Sequence, residues 1–292
     1  MQKDILEERR YLSEIAVWPN PKRLDLHGWL ANFDDGMDQE IAKALLGSHV
    51  HIDGEQVRHA VASTLRQVST YPEFGTTYER PSRWTEFMDR VILSFPLGRS
   101  GDDTASGYLF GRMAEQLGIP ENRILASDTL VKSLDAEEAK PIIFLDDLAA
   151  SGTQFVRNWK RNYPTPRGKT SLEALKKNGA ISAAYYAPLI ATSKAKSKIE
   201  EECDVPVVAS YIIDKEYEAL DPNTRLLPEN LRPMIAAFLT KYTPNTGKNE
   251  DGNAGFGDLG LSLSFHHGCP NNTLPVLRTG PRTETWTPWA TD

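Results

Sequence analysis

The spacing of hydrophobic residues changes along this chain, and the changes predict three structural regions. Up to about residue 87, apolar residues recur every three or four positions, most clearly over 57–68, which is typical of amphipathic helices. From 88 to 215, short apolar runs alternate with helical patterns, which predicts βαβ units around a parallel sheet. The expected fold class is therefore α/β, with a helical region over 1–87, a parallel-sheet core over 88–215 and an α+β extension over 216–292.

The apolar runs of the core are rich in Val, Ile and Leu, as the strands of a sheet buried on both faces are. They predict strands over residues 91–95, 123–127, 142–145, 180–190 and 205–213. The patterns between them predict helices over 108–117, 154–161 and 193–202. In the extension we expect a helix over 222–243 and a strand over 259–265, where it could join the edge of the sheet.

Composition narrows the function classes without choosing one. The 292 residues carry a net charge of −7, which argues against broad binding to a nucleic-acid backbone. A local basic run, Lys194, Lys196 and Lys198, leaves a nucleic-acid-associated protein open as an alternative to a solvated helix face. Two cysteines without disulfide or metal-ligand spacing fit a reducing, cytoplasmic setting, and no apolar run is long enough to predict a membrane span.

The most informative stretch is 141–153, in which an apolar run ends in Asp146 and Asp147, small residues follow, and an amphipathic helix begins. The start of such a helix offers unpaired N–H groups and a positive dipole end to a phosphate. Adjacent side chains on a strand point to opposite faces, so we expect both acids to meet a ligand only beyond the strand's end. There they could accept hydrogen bonds from a ribose diol or hold a divalent cation through water. The alternative is a buried strand whose acids cap the next helix.

Residues 144–153 resemble the loop of type I phosphoribosyltransferases that binds phosphoribosyl pyrophosphate (PRPP), with its two acids, an apolar residue, three small residues, Gly and Thr. The resemblance implies a site for PRPP or a related ribose phosphate, with Mg²⁺ as the cofactor. Asp146 and Asp147 would be the catalytic acids and would hold the metal through water. The 5-phosphate would be bound by the residues that follow, Ala149, Ala150, Ser151, Gly152 and Thr153.

A second candidate loop follows the first strand of the core. Gly98 and Gly101 let the backbone fold around an anion, and Arg99 adds positive charge beside Ser100. In the resembled family this position holds the pyrophosphate loop, which implies that these four residues bind the diphosphate. A Gly-Arg-Ser-Gly segment after a strand is also typical of a plain turn.

One feature departs from the resembled family. The segment between Leu125 and Pro141 has little room for the long flexible catalytic loop of the nucleotide-synthesis enzymes, and it offers only Asp128, Lys132 and Asp135. This departure puts ordinary transfer between PRPP and a base in doubt and leaves a second function class open. In that alternative the chain is a catalytically inactive module that senses a nucleotide and regulates a partner protein.

Near the C-terminus, His266, His267, Asn271 and Asn272 lie on a short segment with prolines in it. Together with the helical N-terminal region, this segment resembles a divergent branch, PRTase-CE-like proteins encoded in bacterial conflict and anti-phage systems. The resemblance implies a hood over the site, transfer of ribosyl phosphate to an unknown acceptor, and a partner protein from a defence operon. Amides and imidazoles suit recognition of a base or sugar edge, whereas the alternative is a turn whose Asn side chains bond the local backbone. We predict that at least one of the four approaches the pocket of Asp147.

The other histidines, His27, His49, His51 and His59, lack a metal-ligand pattern, and we predict structural or surface roles for them. His49 and His51 lie on either side of Val50, which indicates one face of a strand or turn.

Overall fold

The computed structural model describes residues 4–98, 110, 118–134, 138–166, 168–243, 251–278 and 286–290. The chain divides into two compact units. The terminal unit comprises Met1–Val57 and Ile213–Asp292, and the sheet unit comprises Arg58–Ile212. The two ends of the chain thus share one unit, which the predicted division into 1–87, 88–215 and 216–292 does not express.

Helices dominate the beginning of the chain, and helices alternate with strands through its middle. The α-helices of the described residues are α1 (Ile5–Glu14), α2 (Leu26–Leu30), α3 (Met37–Ser48), α4 (Gly54–Val68), α5 (Arg80–Arg90), α6 (Ser127–Ser133), α7 (Thr153–Lys160), α8 (Leu172–Lys177), α9 (Ser193–Cys203) and α10 (Ile235–Tyr242). The strands are β1 (Val50–Ile52), β2 (Ile92–Phe95), β3 (Ile124–Ala126), β4 (Lys140–Ala149), β5 (Tyr163–Thr165), β6 (Gly168–Thr170), β7 (Ile181–Thr192), β8 (Tyr211–Ile213), β9 (Asp251–Gly252), β10 (Gly255–Phe256) and β11 (Leu263–Phe265). None of the described helices combines the length and the apolar character that crossing a membrane requires.

Within the described part of the chain, five strands form the main sheet in the order β3–β2–β4–β7–β8. Strand β2 pairs in parallel with β3 and β4, and β4 pairs in parallel with β7. The expected α/β fold with a parallel-sheet core is therefore confirmed. Because β4 lies in the middle of the sheet, its carboxyl end is flanked by strands on both sides, which is where parallel α/β sheets usually bind ligands.

Several predicted elements differ from the observed ones. The predicted strand over 205–213 is wrong in its extent, because only Tyr211–Ile213 is a strand and Val207 makes a single bridge to Tyr186. Pro206 has no N–H to continue a ladder there. The predicted helix over 222–243 begins only at Ile235, after a proline-rich run of turns. The predicted helix over 108–117 lies outside the described residues, apart from Phe110.

The predicted C-terminal strand is shorter than 259–265 and does not join the main sheet. Strand β11 pairs in parallel with β1, so that Val50 is opposite Leu263 and Ile52 is opposite Phe265. Both strands belong to the terminal unit, whose core also holds an aromatic cluster around Phe33 and Phe238. The two ends of the chain therefore pack with each other and build a separate hydrophobic core.

The core of the sheet unit lies directly beneath the candidate loop. Phe155 of α7 stacks on Tyr186 of β7 with ring centroids 4.2 Å apart, and it meets Phe144 of β4 edge to face at 5.4 Å. Trp159, one turn further along α7, is completely buried in the same cluster. These large rings hold α7 against the sheet, so the loop before the helix has a rigid base.

Candidate functional site

The acid pair lies on strand β4 rather than beyond it. The register with β7 pairs Asp146 with Pro188 and continues to Ala149, opposite Ala191. The expectation that the strand ends before the two acids is therefore wrong, because β7 is long enough to extend the ladder past them. Successive side chains of a strand point to opposite faces, so the carboxylates of Asp146 and Asp147 diverge.

Asp146 points into the core. It is only 6% exposed, and the Tyr186 hydroxyl donates a hydrogen bond to its Oδ2 at 2.7 Å. Its Oδ1 accepts a hydrogen bond from the backbone N–H of Asp147 at 3.0 Å. Burial, and then the neighbouring Asp147 carboxylate, raises the pKa of Asp146 well above its ordinary value, although the Tyr186 hydrogen bond opposes this. A buried, tethered carboxyl group of this kind suits an internal support more than a direct ligand contact.

Asp147 takes the other face and is partly exposed. Its Oδ1 accepts a hydrogen bond from the Leu148 N–H at 2.7 Å, which orients the carboxylate along the strand end. Of the two predicted catalytic acids, Asp147 is thus the one whose position allows contact with a ligand from solution.

The predicted phosphate-binding residues form one tight turn at the carboxyl end of β4. Ala149 and Ala150 are buried, and the Thr192 hydroxyl at the end of β7 donates to the Ala150 carbonyl at 2.6 Å. Helix α7 begins at Thr153, whose N–H donates a long hydrogen bond of 3.4 Å to the Ser151 hydroxyl, and Gly152 has no side chain that could cap the helix. The first N–H groups of a helix have no acceptor within it, so this turn presents amide donors at the positive end of the dipole.

Gly152 has a structural reason to be glycine besides close approach to a ligand. Its φ is +71°, the left-handed conformation that disfavours any residue with a Cβ. A Cβ there would lie 3.1 Å from the Ala195 carbonyl oxygen and 3.2 Å from Cγ1 of Ile199. Helix α9 therefore packs directly on the loop, and this contact sets the position of the turn.

Lys198 lies at the candidate loop, a position that its place in the basic run did not predict. Its Nζ donates to Oγ1 of Thr153 at 3.1 Å, which places a positive charge beside the first turn of α7. The basic run in α9 does not act as one surface, because Lys196 instead binds Glu200 and the Val207 carbonyl. Lys198 could have been singled out only with the knowledge that α9 packs on the loop.

Asn158 is a second residue that sequence patterns missed. Its side chain is buried, and its Oδ1 accepts hydrogen bonds from the Leu97 N–H at 3.1 Å and from the Tyr163 hydroxyl at 2.6 Å. Its Nδ2 donates to the Ser127 hydroxyl at 3.0 Å. One amide thus ties the chain that follows β2 to helix α7 and to the start of α6.

The second candidate loop is described only in part. Gly98 is partly buried at the end of the segment that Asn158 anchors, whereas Arg99, Ser100 and Gly101 lie outside the described residues. Their assignment to the diphosphate stays a prediction. Of the acids and bases between β3 and β4, Asp128 and Lys132 form an ion pair of 3.2 Å on helix α6, and Asp135 lies outside the described residues.

The predicted hood residues differ in their surroundings. Asn272 is buried, and its Nδ2 donates to the Phe256 carbonyl at 2.9 Å, as in the structural alternative for this turn. His267 stacks on Phe265, and its ring lies 5.0 Å from that of His266. His266 and Asn271 are exposed. The approach of these residues to the pocket of Asp147 stays a prediction.

The terminal unit also contains a pair of histidines that share one serine. His49 Nε2 lies 2.9 Å and His51 Nδ1 lies 3.0 Å from the Ser264 hydroxyl. One hydroxyl has one proton, so Ser264 donates to one imidazole and accepts from the other. Burial lowers the pKa of His49 to about 3 and that of His51 to about 4, so both are neutral at pH 7.

Among the residues that the structure describes, no three His, Cys, Asp or Glu side chains are close enough together to bind a metal ion by themselves. A cation at Asp147 would need donors from a ligand and from water. Mg²⁺ is commonly bound in this way, by one or two carboxylates with substrate phosphates.

Comparison with known proteins identifies one family. The family model PRTase-CE matches residues 26–290, which is most of the chain and includes parts of both compact units. No curated protein matches the chain.

Proposed function

This chain belongs to the PRTase-CE family, and we propose that it binds PRPP or a related ribose 5-phosphate, together with Mg²⁺, at the loop 147–153. The observation that carries the proposal is the start of α7, where the Ser151 hydroxyl makes only a long hydrogen bond of 3.4 Å to the first N–H; this turn follows the partly exposed Asp147 and lies beside the Lys198 ammonium group. Amide donors, a helix dipole and a cation meet at one turn, as binding of a phosphate dianion requires.

In this proposal the phosphate takes hydrogen bonds from the first N–H groups of α7 and from the hydroxyls of Ser151 and Thr153. Lys198 already contacts Thr153 and adds charge from the side of α9. Gly152 contributes its backbone conformation, since its own Cβ position is filled by α9.

The ribose diol donates hydrogen bonds to the Asp147 carboxylate. Asp146 acts from behind, because it accepts the Asp147 N–H and is itself held by Tyr186. The two acids then have different tasks, one at the ligand and one in the core, where they were predicted to share the ligand.

The donor set fits a Mg²⁺ ion that is bound mainly by a diphosphate and water, with Asp147 as the nearest carboxylate. When bound, the ion would neutralise charge on the diphosphate as it leaves. Arg99, with Gly98, Ser100 and Gly101, is proposed to bind that diphosphate, so that Arg99→Ala weakens binding of PRPP more than binding of ribose 5-phosphate.

We further propose transfer of ribosyl phosphate to an acceptor in a bacterial defence system, with a nucleotide-sensing module that does not turn over as the second candidate. The second candidate is supported by the burial of Asp146 and by the ion pair that occupies Asp128 and Lys132. Release of pyrophosphate from PRPP, assayed with a panel of bases and nucleosides, separates the two.

Titration calorimetry with PRPP and Mg²⁺ tests the binding site. Asp147→Asn removes a charged acceptor worth about 1.5–3 kcal/mol, so the affinity should fall roughly tenfold to a hundredfold. Asp89→Asn, the same change at an exposed position of α5, is the matched control and should leave the affinity unchanged. Asp146 is not substituted in this test, because the residue is buried and a change there would alter the stability of the fold as well as binding. The proposal is wrong if the wild type binds no PRPP or if Asp147→Asn binds as tightly as the wild type.

A further inference from the structure

Helix α7 carries a basic groove on its outer face. The groove is open to solvent, has a volume of about 460 Å³ and is lined by Thr153, Val156, Arg157, Lys160 and Arg161. The three cations are exposed and the other two residues are partly exposed, so a ligand can reach all five from solution. No acid lines the groove, and α7 itself contains none. The lining therefore favours a negatively charged ligand.

The length of the groove indicates a ligand with more than one anionic group. Arg157 follows Thr153 by four residues, and Arg161, directly after the helix, follows Arg157 by four. This spacing places side chains on one face of a helix. Each step advances about 6 Å along the axis, so the row spans about 12 Å. A single phosphate is too small to contact the whole row, whereas a chain of phosphates can follow it.

Two of the three cations keep their charge available for a ligand. Lys160 forms an ion pair with Glu202 of α9 at 3.0 Å, so its charge is partly neutralised. Arg157, by contrast, pairs with no acid among the described residues. The Arg161 guanidinium lies 5.7 Å from the centre of the Tyr163 ring, and an arginine stacked on a ring keeps N–H donors at its edge. Both arginines can therefore donate to phosphate oxygens.

Helix α9 adds positive charge at the beginning of the groove. Lys198 Nζ donates to the Thr153 hydroxyl at 3.1 Å, and the exposed Lys194 lies one turn earlier on the same face of α9. The arginines of α7 and these two lysines thus form a basic band on a chain whose net charge is −7. A local band of this kind attracts a polyanion even when the whole chain is acidic.

We propose that this groove binds the phosphate backbone of a single nucleic-acid strand, RNA or DNA. Arginine recognises phosphate oxygens with paired N–H donors, and a groove that follows one helix offers one row of such donors, which matches one strand. A lipid surface is flat and favours exposed apolar side chains beside the cations, whereas Val156 is the only apolar residue of the lining and is partly buried. This inference goes beyond the proposed binding of PRPP and does not depend on it.

The test is fluorescence anisotropy of a labelled oligouridylate, and of an oligothymidylate of the same length, with the full chain and without PRPP or Mg²⁺. The wild type should bind at least one strand, with an affinity that falls as salt rises. The double variant Arg157→Gln, Arg161→Gln should weaken binding about tenfold at low salt. It should also lower the slope of log affinity against log salt by about 1.4, since each phosphate contact of a single strand contributes about 0.7. Equal binding of RNA and DNA assigns the contacts to phosphates, and tighter binding of RNA adds its 2′-hydroxyls.

A matched control separates contact in the groove from the charge of the whole chain. The double variant Arg66→Gln, Arg83→Gln removes the same charge at exposed positions of α4 and α5 and should keep the wild-type slope. Asp147→Asn should not weaken strand binding, so failure of PRPP binding would leave this result untouched. The proposal is overturned if neither strand binds, or if the two double variants behave alike. It is also overturned if polyglutamate or vesicles of anionic phospholipid bind as tightly as the strands.

Discussion

Two adjacent tyrosines on β7 allow a direct test of how the sheet unit is held together. Tyr186 donates to Asp146 at 2.7 Å, whereas the Tyr185 hydroxyl has no partner among the described residues. Neighbouring strand residues point to opposite faces, so the two side chains have different surroundings. The same change to Phe therefore removes a hydrogen bond at Tyr186 and an unpaired hydroxyl at Tyr185. Tyr186→Phe should therefore lower stability, whereas Tyr185→Phe should not.

The expected magnitudes follow from these surroundings. Tyr186→Phe keeps the ring that stacks on Phe155 but leaves one oxygen of the buried Asp146 without a donor, a loss of about 1–3 kcal/mol. Tyr185→Phe removes a hydroxyl that is buried without compensation, so stability should stay the same or rise by up to about 1 kcal/mol. Urea unfolding at pH 7 measures both changes, with the exposed Tyr78→Phe as the reference.

The pH dependence provides an independent check. Burial raises the pKa of Asp146, so the folded state favours its protonated form. The stability from this group is present below the ordinary carboxyl pKa and is lost as pH rises towards the pKa in the folded state. The Tyr186 hydrogen bond lowers that pKa, so the cost of Tyr186→Phe should be smallest at low pH, where the carboxyl is protonated in both proteins, and should grow as pH rises through the pKa in the folded state. Equal losses for Tyr185→Phe and Tyr186→Phe, or a cost for Tyr186→Phe that falls with rising pH, would refute the reasoning.

Two further predictions concern stability. Gly152→Ala should lower the free energy of unfolding, measured in urea, by about 1–3 kcal/mol, because the residue has a positive φ and its Cβ would clash with α9. Gly179→Ala should lower it less, because Gly179 also has a positive φ but has open space around it. Equal losses would show that the contact with α9 is unimportant. His49 and His51 have depressed pKa values, so their contribution to stability is present above about pH 6.5 and is lost as pH falls towards 4, by up to about 1.4 kcal/mol per pH unit each. Because Asp146 shifts stability in the opposite direction, the test is the stability difference between the wild type and the His49→Asn, His51→Asn double variant; a difference that is the same at pH 5 as at pH 7 would contradict this second prediction.

Much of the fold and the core of the candidate loop could be predicted from local sequence. The apolar runs located β2, β3, β4 and β7, because a strand buried on both faces needs apolar residues at almost every position. The small residues before α7 predicted the turn, because glycine is needed where φ is positive. Such features depend on neighbours a few residues away, so one short window of sequence is enough to show them.

The partners of the site residues were decided by tertiary structure alone. Asp146 and Tyr186 are 40 residues apart, and they meet because the register of β4 and β7 places them diagonally on one face. Thr153 and Lys198 meet only because α9 packs on the loop. Neither register nor helix packing appears in the local pattern, since both are set by the whole core.

The acid pair illustrates the same division. By itself, the sequence determined that two carboxylates precede a turn of small residues into a helix, and it predicted that both would face a ligand. The structure places them in different surroundings, because β7 extends the ladder beyond Asp146 and thereby directs one side chain into the core and leaves the other partly exposed. Residue types and spacing thus located the candidate acids and the turn. Pairing between strands that are distant in sequence decided which of the two acids is exposed to solvent, since burial depends on contacts that form only when the sheet is complete.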